Sequence, residues 1–151
     1  MFVEVFDDDA PAAVWLFCGT ENGADDHQRW MRSMQRTDAV AGRRGGAAIL
    51  IIDDGNPPPS PADREALTRV ARGITGTTPL AVVTSSAIAR SVIAALSFTR
   101  VVAFPVKGFV DVAGAAVWLA GQTRVSAAHL SSLVDEARAR SAQLTVSATR
   151  R

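Results

Sequence analysis

The chain is poor in the residue types that carry most recognisable chemistry. A single cysteine, Cys18, among 151 residues excludes an internal disulfide and fits a reducing cytoplasm, the expected location. Only two histidines occur, His27 and His129, and no His or Cys recurs at metal-ligand spacing, so neither a metal nor any other cofactor is expected. There is no Gly-x-Ser-x-Gly elbow for a serine nucleophile, and Cys18 has no assignable base beside it and reads as a small buried thiol. No apolar run reaches the roughly 18 residues that cross a bilayer, and no basic start precedes an apolar core. Neither an integral membrane segment nor a secretory leader is therefore expected. A formal net charge of +1 gives no case for nucleic acid as a partner. Lysine is almost missing too: Lys107 stands alone among sixteen basic residues.

What is present fits one globular domain with a sizeable core, at 48% hydrophobic and 21% charged residues. Charge is unevenly spread. Glu4, Asp7, Asp8, Asp9, Glu21, Asp25 and Asp26 precede any Lys or Arg, and Arg29, Arg32, Arg36, Arg43 and Arg44 then follow against Asp38 alone. That asymmetry reads as solvated faces or as guidance for a protein partner.

The most informative stretch runs from Ala47 to Pro61. Ala47–Ile52 is apolar, short and β-branched at three positions, the pattern of a strand buried on both faces. It ends in Asp53-Asp54-Gly55-Asn56 and three prolines. Ser60, Pro61 and Asp63 then supply a side-chain cap, a first-turn proline and an acidic third position for a helix to about Ile74. Before this stretch, Val3–Phe6 and Ala13–Phe17 flank the turn-rich Asp7–Pro11 and predict an edge hairpin. A helix from about His27 to Ala41 carries Trp30, Met34, Thr37 and Ala41 as its stripe.

After it come a strand over Leu80–Thr84 and a helix capped at Ser85 or Ser86, running to Leu96 with Ile88, Val92, Ala95 and Leu96 inward. A strand over Arg100–Phe104 is expected next. Asp111 caps a helix over Val112–Ala120 with Gly121 as terminator. Ser126 caps a last helix to Arg140, striped by Leu130, Leu133, Val134 and Ala137. The three tryptophans are expected in the core, with Phe98 and Phe109 as exposed anchors. Strands alternating with helices require crossovers and a largely parallel central sheet. The expected fold is thus α/β, with an edge β-hairpin, flanking helices and an appended C-terminal helix. The chain divides into a domain over 1–121, the helix over 122–140 and a polar, flexible tail over 141–151.

With the hairpin, "LFCGTENGADDHQRWM", "AILIIDDGN" and the closing "AAVWLA" in place, residues 2–121 resemble the STAS/SpoIIAA-like superfamily. The resemblance implies a non-enzymatic regulatory or protein-interaction module. In anti-sigma-factor antagonists of that family a serine at the start of the helix after the central strand is phosphorylated. The matching position is Ser60, although Pro57-Pro58-Pro59-Ser60-Pro61 replaces the family's Asp-Ser-Ser-Gly pattern.

In open α/β sheets, ligands gather where strand carboxyl ends meet helix amino ends. The candidate surface is accordingly Asp53, Asp54, Asn56, Ser60 and Asp63 with Thr84, Ser85 and Ser86. Recognition of a protein partner there is the leading expectation. A small hydrophobic or anionic ligand is the alternative, the anion drawn to the helix start beside Arg90. A receiver-like phosphoacceptor is a third, since Asp7–Asp9, Asp53 or Asp54, Thr84 or Ser85, and Lys107 follow in the order that chemistry needs. The hairpin, however, sets Asp7–Asp9 away from the sheet's carboxyl edge. The stripe of the last helix must be covered by the domain or by a second copy, which raises a homodimer through residues 126–140.

Overall fold

The computed structural model describes residues 1–41, 43–99 and 102–149. Its elements are β1 (Phe2–Asp7), β2 (Ala12–Phe17), α1 (Asp26–Ala41), β3 (Ala47–Ile52), α2 (Pro61–Gly73), β4 (Leu80–Thr84), α3 (Ala87–Thr99), β5 (Val106–Phe109), α4 (Val112–Gln122) and α5 (Ala127–Thr149). One mixed sheet has the order β1-β2-β3-β4-β5. β1 pairs antiparallel with β2, and every later pair is parallel. The α/β fold with an edge hairpin is therefore as expected.

Period-two alternation sends each strand's side chains to opposite faces. Val14, Leu16, Ile49, Ile51, Ala81 and Val83 meet α4 and α5 on one face. Trp15, Phe17, Leu50, Val82 and Leu80 meet α1 and Met34 on the other, with Leu67, Val70 and Ala71 of α2 and Ile93 of α3 at its margin. Covering both faces is what lets β2 and β3 be wholly apolar. Cys18 is buried and unpaired. Trp15 is buried and donates from Nε1 to Ser33 Oγ at 2.7 Å, whereas Trp30 and Trp118 are only partly covered.

Ser60 caps α2 by accepting from the Asp63 amide, with Pro61 in the first turn, and Asp111 caps α4 through the Gly114 amide. Part of the charge asymmetry is met within the chain. Arg36 lies 3.8 Å from Glu4, Arg29 lies 3.5 Å from Asp26, and Arg44 donates to the carbonyls of Asp8 and Asp9.

Several expectations need correction. The last strand is Val106–Phe109, not Arg100–Phe104. α3 continues to Thr99 and Val102–Phe104 form a bend, so pairing begins only where Leu80 N donates to Pro105 O. Arg100 and Val101 lie outside the described residues. Gly108 matters here: a Cβ on it would stand 3.1–3.3 Å from Arg90, so the missing side chain lets α3 lie close against β5.

The stripe of α3 is also turned. Ile88, Val92 and Leu96 face outward, at 80%, 55% and 37% exposure. The inner side is made by Ile93, by Arg90, which donates to Thr84 O, and by Ser97, which donates to Val106 O. Phe98 is exposed as expected, but it sits within α3, and Phe109 packs against Trp118 at 5.6 Å between ring centroids.

The helix expected to end at Arg140 runs through Thr149. Along it Thr145 and Ser147 donate back to the carbonyls of Ser141 and Gln143. Likewise α4 passes through Gly121 and ends at Gln122. Finally, Leu130, Leu133, Val134 and Ala137 belong to the same core cluster as β1, β2 and β3. The domain itself covers this stripe, so α5 is part of the core and the stripe gives no ground for a homodimer through residues 126–140.

The opposite placements of Leu130 and Ile88 give a direct test. Leu130→Ala should cost about 2–5 kcal/mol in urea unfolding as a buried truncation. Ile88→Ala should stay within about 0.5 kcal/mol, as an exposed one does. Equal costs would contradict the outward face of α3.

Candidate functional site

Parallel register assembles the carboxyl edge. Phe17 pairs with Ile52, and Ile52 with Thr84, so the last residues of three strands stand in one row. The loops that leave this row form a cleft of about 450 Å³. Leu50, Ile52 and Leu67 supply its apolar base, and Phe17, Trp30 and His27 supply an aromatic wall. Asp53, Asp54, Asn56, Thr84, Ser85 and Ser86 also line it. Six of the eight expected site residues thus converge. Ser60 and Asp63 lie beside the cleft rather than in its lining, and Asp63 reaches it through His27.

The exit from β3 is held at several points. Asp53 N donates to Phe17 O at 2.9 Å and Asn56 N to Asp53 O at 3.1 Å, closing a turn through Gly55. Gly55 has φ +82°, a left-handed backbone that a Cβ disfavours. The Asn56 side-chain amide donates to Gly19 O at 3.2 Å and to Asn22 Oδ1 at 2.9 Å. This ties the loop after β3 to the loop after β2. Asn56 is therefore structural as well as available to the cleft.

The two carboxylates do not act together. Arg138 of α5 donates to Asp53 Oδ2, whereas Ser85 Oγ donates to Asp54 Oδ1. Consecutive residues at a strand end point to different sides, and each has found its own partner. The Asp53 carboxylate in turn holds the Arg138 guanidinium above its ordinary pKa, chiefly through the hydrogen bond.

The start of α3 is also committed. Ser86 N donates to Thr84 Oγ1 at 3.3 Å and Ala89 N to Ser86 Oγ at 3.2 Å. The Arg90 guanidinium donates to Thr84 O at 2.6 Å. Two amides and one guanidinium N–H that could have met an anion here are already bonded within the protein.

His27, near the start of α1, is buried. Its ring stacks on Phe17 with centroids 5.2 Å apart, and Nδ1 lies 3.4 Å from Asp63 Oδ2. The signal was in the spacing: His27 falls one turn before Trp30 and Met34 on the same helical stripe. Asp63 also accepts from Ser60 Oγ at 2.7 Å. That hydroxyl first, and His27 second, hold its carboxyl below the ordinary pKa.

The receiver-like set is not brought together. Asp7, Asp8 and Asp9 sit at the hairpin turn, at the opposite end of β2 from Phe17. There the Asp9 amide donates to Asp7 at 2.8 Å and His129 Nε2 lies 2.9 Å from Asp7 Oδ2. The amide, ahead of His129, lowers the Asp7 pKa. Lys107 pairs in register with Ala81, early in β4, and its ammonium stands 5.4 Å from the Phe109 ring centre.

Among the described residues no three His, Cys, Asp or Glu side chains are grouped to hold a metal ion, and no helix is long and apolar enough to cross a membrane. The chain matches no protein-family model, no curated protein and no solved structure.

Ser60 gives the site a test of its own. Ser60→Ala removes both the helix cap and the hydroxyl donor to Asp63. The Asp63 carboxyl should then titrate higher by NMR, and unfolding should become easier by about 1 kcal/mol from the lost cap. A carboxyl whose folded pKa is depressed adds stability above the ordinary carboxylate range and loses it as pH falls through the folded value. The part of the deficit carried by Asp63 should therefore fade in acid; an unmoved Asp63 titration contradicts the assigned bond.

Proposed function

We propose that this protein is a non-enzymatic recognition module of STAS-like type that works by enclosing an apolar group in the cleft at the carboxyl ends of β3 and β4. The observation that carries this reading is the combination of open apolar volume with committed polar groups. The cleft of about 450 Å³ lies in the range of small-molecule sites, and Leu50, Ile52, Leu67 and Trp30 line it. Around them Asp53 is bonded to Arg138, Asp54 to Ser85, and Arg90 to the Thr84 carbonyl. A catalytic site needs a base or nucleophile directed at substrate, and these groups are directed at one another. The edge hairpin and the successive helical crossovers support the STAS-like assignment.

A protein partner is the second reading, favoured by one feature. α3 turns Ile88, Val92 and Phe98 outward at 80%, 55% and 92% exposure, an apolar patch of the kind that marks contact surfaces.

A neutral environment-sensitive dye such as Nile red tests the first reading. Saturable binding at one site is expected, and Leu67→Trp, which fills the cleft, should abolish it while far-UV circular dichroism stays unchanged. Binding that survives Leu67→Trp and disappears in the double variant Ile88→Asp, Val92→Asp instead places the apolar site on α3. No saturable binding removes the cleft reading.

A further inference from the structure

The charge around the cleft narrows what it holds. No Lys or Arg is among its lining residues, while two carboxylates, Asp53 and Asp54, are. These two are not equivalent. Asp53 is ion-paired with Arg138, which stands on α5, and α5 packs against the opposite face of the sheet. Asp54 is exposed, accepts from the neutral Ser85 hydroxyl, and has no cationic partner among the described residues. The mouth therefore carries one uncompensated negative charge above an apolar base.

The wall gives the apolar body its contact. Phe17 and Trp30 meet edge to face with centroids 5.4 Å apart, and both line the cleft. An anion would meet the opposite conditions: a carboxylate at the mouth, and helix-start amides already capped by Thr84 and Ser86. The hydroxyl oxygens of Thr84 and Ser86 are the acceptors of those amides.

Resting on the cleft as the binding site, we propose that it takes a small organic cation: an apolar body against Leu50, Ile52 and Trp30, with an amine at the Asp54 carboxylate. The amine pairs with Asp54 without disturbing Arg138, because Asp53 remains the arginine's partner. The apolar body supplies most of the affinity, and the carboxylate selects the charge.

Three probes of one chain length test this: decylamine, decanol and decanoate, each below its aggregation concentration, titrated calorimetrically. Decylamine should bind about five-fold more tightly than decanol, the worth of a partly exposed ion pair, and decanoate should bind weakest. Asp54→Asn should bring decylamine to the affinity of decanol and leave decanol unchanged. In the unsubstituted protein, raising salt should weaken decylamine and spare decanol.

Equal affinity for decylamine and decanol, tighter binding of decanoate, or indifference to both Asp54→Asn and salt overturns the cation proposal while leaving the cleft as a binding site. Failure of all three probes to bind overturns both.

Discussion

Parallel register across β2, β3 and β4 is the constraint on which the rest of the molecule depends. Because Phe17, Ile52 and Thr84 are paired across the sheet, three chain exits leave from one line. A slip of one residue would reverse every inward side chain on β3. Such a slip is prevented by the double burial of Ala47–Ile51, since both faces of that strand are already matched to helices. The cleft follows from this arrangement. The same register that fixes the core decides which side chains stand at its open end.

Around that edge, polar groups are used to hold loops in place. The Asn22–Asn56 pair joins two loops, Arg90 braces the end of β4, and Ser60 with Asp63 joins the start of α2 to His27 on α1. Each of these bonds fixes a backbone position near the cleft. Together they keep its walls apart and leave apolar surface unfilled between them. A site built this way is preorganised for shape, because ordering costs that binding would otherwise meet are met during folding.

The sequence was legible wherever local signals and burial agreed. The run Ala47–Ile52 reads as a buried strand because nothing polar interrupts it, and Ser60, Pro61 and Asp63 mark a helix start with three independent residues. The hairpin was equally plain, with the acidic turn between two apolar runs. β5 was not. Lys107 and Gly108 are poor strand formers, whereas Val101–Phe104 has the better strand composition. Pairing with β4 overrode propensity, and Gly108 was selected by the closeness of Arg90. The inward side of α3 was misplaced for a related reason. Its most apolar stripe is not its buried one, because Arg90 and Ser97 find partners in β4 and β5. Of the site, the acidic and hydroxyl residues were visible at strand ends, whereas His27 carried only the weak signal of its helical spacing with Trp30 and Met34, and its burial comes from the tertiary contact with Phe17.

Both borders of the sheet close it to further strands, by different means. β5 is four residues long, and its Lys107-Gly108 centre offers a charge and a weak hydrogen-bonding template to any incoming strand. β1 is longer, and there Arg140 of α5 donates to the Glu4 carbonyl while Arg36 lies over the Phe6 ring. Side chains therefore take up an acceptor and an apolar surface that strand addition would need. The long last helix is, in this light, also a guard rail for the first strand, and the domain can expose apolar side chains on α3 without offering a sheet edge to match them.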